Sequence, residues 1–191
     1  MAKSQAASHG QLVDAFLGIP DKNALAWSVL DEKSERAVST AIAWSANKRA
    51  GVRVACVEHQ RLDLVFMEGR TVHTTYQAKA AYLSDYTKKR VAKHDIWLGD
   101  ILNEDFGKLE ARNNRLGSVA SGCLFYLYEV ADPSRQMKYA RPSHEHSAAE
   151  AIEVMRSLVR GRFNSSHVID CGEADGTNVQ VHLVIFDPTH V

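Results

Sequence analysis

The stretch "RLDLVFMEGRTVHTTYQAK", residues 61–79, reads as two strands around a short turn. It places one acid, Asp63, at the start of the first strand, and an amide and a lysine, Gln77 and Lys79, at the end of the second. Asp is among the least favoured residues in strands. An acid, an amide and an ammonium side by side would make a polar site; the same three also suit a solvated sheet face. If "EGR" is a three-residue loop, Met67 pairs with Thr71 and Asp63 lies opposite Thr75. Alternation then puts Asp63, Thr75, Gln77 and Lys79 on one face. A two-residue loop turns Asp63 to the wrong face. Leu62, Leu64, Phe66, Val72, Thr74, Tyr76 and Ala78 form the apolar face. Glu35 belongs with this group, because it lies three and seven residues before Val38 and Ile42, on the buried edge of a helix. A carboxylate there is expensive unless it is paired or serves a metal, although a helix start also favours an acid.

The elements that must position these groups follow from periodicity and breakers. Residues 11–30 read as a short helix or turn set interrupted by "GIPD", and 31–50 as a helix stopped by Gly51. Residues 52–58 are β-rich, and "RLDLVFM" and "TVHTTYQA" follow as strands. The charged segment beginning at "AYLSDYTKKR" has helical character, and "CLFYLYEVA", 123–131, has the continuous apolar run of a strand buried on both faces. Residues 144–161 form an amphipathic helix, and the C-terminus reads as two strands around "GEADGTN". This order predicts one mixed α/β domain, α+β-like, over residues 1–191.

Glu35 on a leading helix, Asp63 on the second strand and "QAK" on the third resemble the PD-(D/E)xK nuclease superfamily, whose core runs helix, three strands, helix, strand. The glutamine in place of the usual acid is similar to the QxK variant of Mrr-type restriction endonucleases. The resemblance covers residues 31–131 and leaves 132–191 as a C-terminal helix and hairpin extension. It implies a restriction-endonuclease-like core, a central mixed sheet flanked by helices, and a Mg2+- or Mn2+-dependent DNA endonuclease working in defence or repair. It also implies a ligand set of Asp63, the Gln77 amide oxygen, the Ala78 carbonyl and, through water, Glu35. Lys79 would position the attacking water and stabilise charge on the phosphate. Oxygen donors of this kind suit a hard dication. Two departures stand out. Leu62 precedes Asp63 where the family has Pro, and Gln77 removes one anionic ligand. The alternative is therefore a catalytically inactive domain of the same fold, serving as a nucleic-acid-binding or protein-interaction module. A third class is an unrelated α+β small-molecule binder.

The bulk composition narrows partners and compartment. Lys plus Arg equals Asp plus Glu at 23 each, against a dedicated nucleic-acid binder unless the positive charge is local. From Lys79 to His94 it is local: Lys79, Lys88, Lys89, Arg90 and Lys93 face Asp85 alone, an excess of four. Lys88, Lys89, Arg90 and Lys93 are thus candidates for DNA backbone contact, against the plainer reading of a solvated helix face. Tyr82, Tyr86 and Trp97 beside this run suit base stacking or the core. Three cysteines, far apart and odd in number, favour a reducing cytoplasm. No apolar run approaches a membrane span, the N-terminus has no secretory h-region, and a homodimer is compatible with the pattern. His144 and His146, with His167 near, and Cys171 with His167 or His182, are weaker metal and nucleophile candidates.

Overall fold

The computed structural model describes residues 2–31, 35–60, 62–83, 104–112, 115, 120–130, 147–159 and 161–188. Helices α1 (Ala2–Leu17) and α2 (Lys22–Asp31) are separated by the expected "GIPD" break. Asp21 restarts the chain as a helix, its Oδ1 accepting the Ala24 N–H at 2.9 Å. Helix α3 (Glu35–Ala50) ends at Gly51, whose φ of 68° supplies the left-handed stop. Just before that stop, the Asn47 side chain accepts from Val54 and Ala55 and donates to the Ala55 carbonyl, which ties α3 to the first strand.

Three strands follow, β1 (Ala55–His59), β2 (Leu62–Glu68) and β3 (Thr71–Tyr82). A helix over 104–112, named α4, precedes β4 (Ala120–Val130). Helix α5 (Ala148–Leu158), β5 (Arg162–Ala174) and β6 (Thr177–Asp187) complete the order. The capping box of Ser147 and Glu150 starts α5. The six strands form one sheet in the order β1-β2-β3-β4-β6-β5. It is mixed, since β3 and β4 run parallel and every other neighbouring pair is antiparallel.

Strand β4 is the buried centre that its apolar run predicts, with only Glu129 partly exposed. One face of the sheet is covered by Leu12 and Phe16 of α1, Leu25 and Val29 of α2, and Val38 and Ile42 of α3, over Leu64, Tyr76, Tyr126 and Leu183. The other is covered by Leu109 of α4 and Ala151 and Met155 of α5, over Val65, Phe125, Leu127 and Val184. A sheet with helices on both faces is an α/β layer architecture. Among the described residues, no helix is long and apolar enough to cross a membrane.

Three expectations are corrected. The β2–β3 turn has two residues rather than the three of "EGR": Glu68 pairs with Thr71, and Gly69 takes a φ of 59°. Strand β3 runs on through Ala80, Ala81 and Tyr82, beyond its expected end, because these pair with Tyr126, Leu127 and Tyr128 of β4. Tertiary pairing here overrides the helical preference of alanine. The last hairpin turns on Asp175 and Gly176 alone, with φ of 51° and 74°, so its strands absorb most of the expected loop. This hairpin joins the central sheet through β6 beside β4.

Candidate functional site

Asp63 and Gln77 meet, by a route that loop counting does not reveal. The two-residue turn alone would bring Asp63 to the wrong face. A β-bulge intervenes: Met67 pairs with Val72 but Phe66 pairs with Thr74, leaving His73 as the extra residue. The bulge restores the parity, and the register Leu64–Tyr76 carries Asp63 opposite Gln77 rather than the expected Thr75. It also moves Val72 off the expected apolar face, to pack with Val65 and Leu127 on the other side of the sheet.

The ladder between β2 and β3 ends at Leu64–Tyr76, while β3 continues to Tyr82. Backbone N–H groups beyond that point need other partners. The Ala78 N–H donates to Asp63 Oδ2 at 2.7 Å, and Gln77 Nε2 donates to the same oxygen. The Ala80 N–H donates to the carboxylate of Glu35, in the first turn of α3. Two acids thus finish the open edge of β3. A strand residue sends its C=O out on the same side as its N–H, so the Ala78 carbonyl also belongs to the Asp63 side.

Lys79 lies on the Gln77 face, its side chain 26% exposed, with Nζ 3.2 Å from Asp105 Oδ2. Asp105 lies on α4 and is 2% exposed. Its Oδ1 accepts from Lys108 at 3.4 Å, whereas Oδ2 has the Lys79 ion pair. Burial pushes the Glu35 carboxyl above its usual range, and the charges of Asp63 and Asp105 push it further, against Lys79 and the Ala80 N–H. Burial also raises the Asp63 carboxyl, with Asp105 adding to it and the Ala78 N–H, Lys79 and Arg112 opposing. For Lys79 burial acts downward, but Glu35, Asp105 and Asp63 outweigh it and hold the ammonium firmly charged. Three carboxylates therefore converge electrostatically on one lysine.

Gln77 Oε1 is buried with no hydrogen-bond partner, although Nε2 of the same amide is engaged. An orphaned amide oxygen beside a partly buried carboxylate is what a hard cation fits: neutral and anionic oxygens, completed by water. Asp63, Gln77 and the Ala78 carbonyl supply that donor set, with Glu35 at its edge. Among the described residues, no group of three or more His, Cys, Asp or Glu side chains is close enough to hold a metal by itself. The fit therefore depends on the amide and the backbone oxygen.

The other candidates fall apart. Lys88, Lys89, Arg90, Lys93, Tyr86, Trp97, His144 and His146 lie outside the described residues. Tyr82 is a core residue, its hydroxyl donating to the Val29 carbonyl at 2.5 Å. His182 faces Glu129 at 3.0 Å and His167 faces Ser165 at 3.1 Å, while Cys171 is buried and its thiol is raised to about 11, mainly by burial. Sequence reasoning missed Asp105, yet a signal existed. It stands four residues before the buried Leu109, the same acid-on-an-apolar-stripe pattern that marked Glu35.

No protein-family model matches the chain, and neither a curated protein nor a solved structure does. What the fold and geometry define is an α/β protein whose mixed sheet carries a carboxylate–amide–lysine cluster at the open edge of β3.

Proposed function

We propose that this chain is a Mg2+- or Mn2+-dependent DNA endonuclease, a phosphodiester hydrolase of PD-(D/E)xK type acting in the cytoplasm in defence or repair. The observation that carries this reading is the buried, unpartnered Oε1 of Gln77 beside Asp63, within a group of acids that exceeds its lysine. The order α3, β1, β2, β3, α4, β4 supports the reading, because the resemblance implies helix, three strands, helix, strand. Asp63, Gln77 Oε1 and the Ala78 carbonyl would hold the cation, and Glu35 would orient its water. The bound dication supplies positive charge to the scissile phosphate and acidifies a coordinated water. Lys79, kept charged by its acidic neighbours, stabilises negative charge that grows on the phosphate oxygens and aligns the water for in-line attack. Lys88, Lys89, Arg90 and Lys93 would neutralise backbone phosphates without reading sequence, and a homodimer would present two such sites to a duplex.

A second reading has its own support. Asp63 and Glu35 already satisfy strand-edge N–H groups and Lys79 already has Asp105, so a non-catalytic module that binds nucleic acid or a protein also accounts for the same side chains. Incubating the protein with plasmid and branched DNA in Mg2+, Mn2+ or EDTA separates the two. The nuclease reading expects nicking that needs the metal and disappears in Asp63→Asn. Intact DNA in both metals at high protein concentration would leave the binding module.

A further inference from the structure

Asp105 is an anomaly for a structural residue. It is a carboxylate at 2% exposure, on a helix whose neighbouring inward residue is Leu109. A buried charge is costly unless it is paired and hydrogen-bonded, and among the described residues the Lys79 ammonium is the one partner that Oδ2 has. Lys108 does little for it: that ammonium is about half exposed and is nearer to Glu104, at 2.9 Å, than to Asp105 Oδ1, at 3.4 Å. What Oδ2 does reach is Lys79 Nζ, at 3.2 Å. Lysine is a flexible point charge on a four-carbon stem and defines no position by itself. Glu35 and Asp63 pull on it from the α3 side and the β2 side, and Cys123, the β4 neighbour of Gln77, is an uncharged wall whose thiol burial and Asp105 keep protonated. Asp105 is the acid that holds the ammonium from the α4 side.

The geometry points to Asp105 as a positioning residue that fixes the Lys79 ammonium over the Asp63–Gln77 oxygens. This rests on the nuclease reading above and adds α4 to the elements that build the site. Without Asp105, Lys79 would swing towards Glu35 and Asp63 and neutralise the oxygens that the cation needs.

The variants Asp105→Glu and Asp105→Gln differ in charge at equal size, which separates pairing from packing. Asp105→Asn adds the closest isostere. Two measurements apply to each. The first is acetylation of the Lys79 amine by a water-soluble active ester in metal-free buffer, read by peptide mass spectrometry. The second is single-turnover DNA cleavage in Mn2+ over a range of DNA concentrations. Asp105→Asn and Asp105→Gln are expected to acetylate Lys79 several-fold faster than wild type. Their maximal cleavage rate should fall roughly 10- to 100-fold, the usual loss when an outer partner of a site is removed. Half-saturating DNA should stay within about threefold, and Asp105→Glu should recover at least part of both properties. Unchanged acetylation, or an unchanged maximal rate, in folded Asp105→Asn or Asp105→Gln overturns the inference. So does a loss of rate in Asp105→Glu equal to that in Asp105→Gln, which would mark a packing role. If wild type cuts nothing, the nuclease reading fails, and acetylation alone decides whether Asp105 holds Lys79.

Discussion

At the scale of the residue, the acids at the edge of β3 face opposing demands. Asp63 and Glu35 accept backbone N–H groups that need them, yet burial makes their charged forms unfavourable. A carboxyl whose pKa is raised in the folded state binds protons more readily folded than unfolded. The native state therefore gains stability as pH falls through the raised value toward the ordinary one, near 3.8 for Asp63 and 4.5 for Glu35, and the ionised pair costs stability above that window. Asp63→Asn keeps an acceptor for the Ala78 N–H and removes the charge. It should melt higher than wild type at neutral pH in EDTA, with the difference shrinking as pH falls toward about 4 and constant below it. Asp63→Ala should instead be destabilised by about 1–3 kcal/mol, because it leaves the N–H unpaired. Calorimetric melting of the three proteins across pH checks the order; a wild type more stable than Asp63→Asn at neutral pH would contradict it. Gln77→Glu adds an anionic oxygen where the orphaned amide now stands. Titration calorimetry should find Mg2+ bound more tightly, on the order of tenfold or about 1.4 kcal/mol. Equal affinity would remove position 77 from the ligand set.

At the scale of the element, the β2–β3 hairpin decides whether a site exists. Its turn and its bulge each shift the register by one residue, and only together do they bring Asp63 opposite Gln77. Deleting His73, the extra residue, should leave the pairs on both sides of the bulge as they are and keep metal binding. Deleting Thr75, beyond the bulge, should turn either the core residues or the site residues to the wrong face and abolish binding. Equal metal affinity in the two deletions would contradict this account of the register. The sequence made the face legible but not the route: an Asp in a strand and "QAK" fourteen residues on imply a shared face, whereas a two-residue turn and a compensating bulge imitate a three-residue loop. The central strand β4 was legible because nothing in "CLFYLYEV" is polar except its glutamate. The end of β3 was not, because alanine is a helix former until a parallel neighbour pairs with it, and Asp105 was hidden in a segment that read only as charged helix. Gly122 in β4 marks a close approach that composition conceals. A Cβ there would lie 3.2 Å from the Phe186 carbonyl oxygen and 3.2 Å from the Tyr76 ring. Gly122→Ala should lower stability by about 1–3 kcal/mol in chemical denaturation, and a neutral result would mean that the two strands part easily.

At the scale of the whole molecule, helix α1 and strand β6 are joined to the strand that carries the site through one histidine. His9 of α1 is buried between the Tyr76 hydroxyl, 3.0 Å from Nδ1, and Asp187 of β6, 2.7 Å from Nε2. Burial acts to raise the Asp187 carboxyl, but hydrogen bonds from His9, Asn164 and Arg162 hold it below the usual range. Its contribution to stability is present above the unfolded value and is lost as pH falls through the lowered folded value, opposite in sign to the site acids. Acid unfolding should accordingly begin later in Asp187→Asn, relative to its own neutral-pH stability, than in wild type; identical acid limbs would place the acid sensitivity elsewhere. This clamp, the two helical layers and the shared sheet give β3 a rigid setting, on which a site of only a few oxygens can act. The central claim is that this cluster hydrolyses phosphodiester bonds with Lys79 as its fixed cation. Lys79→Gln tests it most directly, since the amide still donates to the buried Asp105 while the charge is gone. The measurement is the single-turnover cleavage rate of duplex DNA at saturating Mn2+, wild type beside Lys79→Gln, with metal and DNA binding recorded for both. Wild type is expected to cut, and Lys79→Gln to bind metal and DNA but cut at least 100-fold more slowly, a loss of about 2.7 kcal/mol in transition-state stabilisation. Equal cutting by the two proteins, or no cutting by wild type, would contradict the claim.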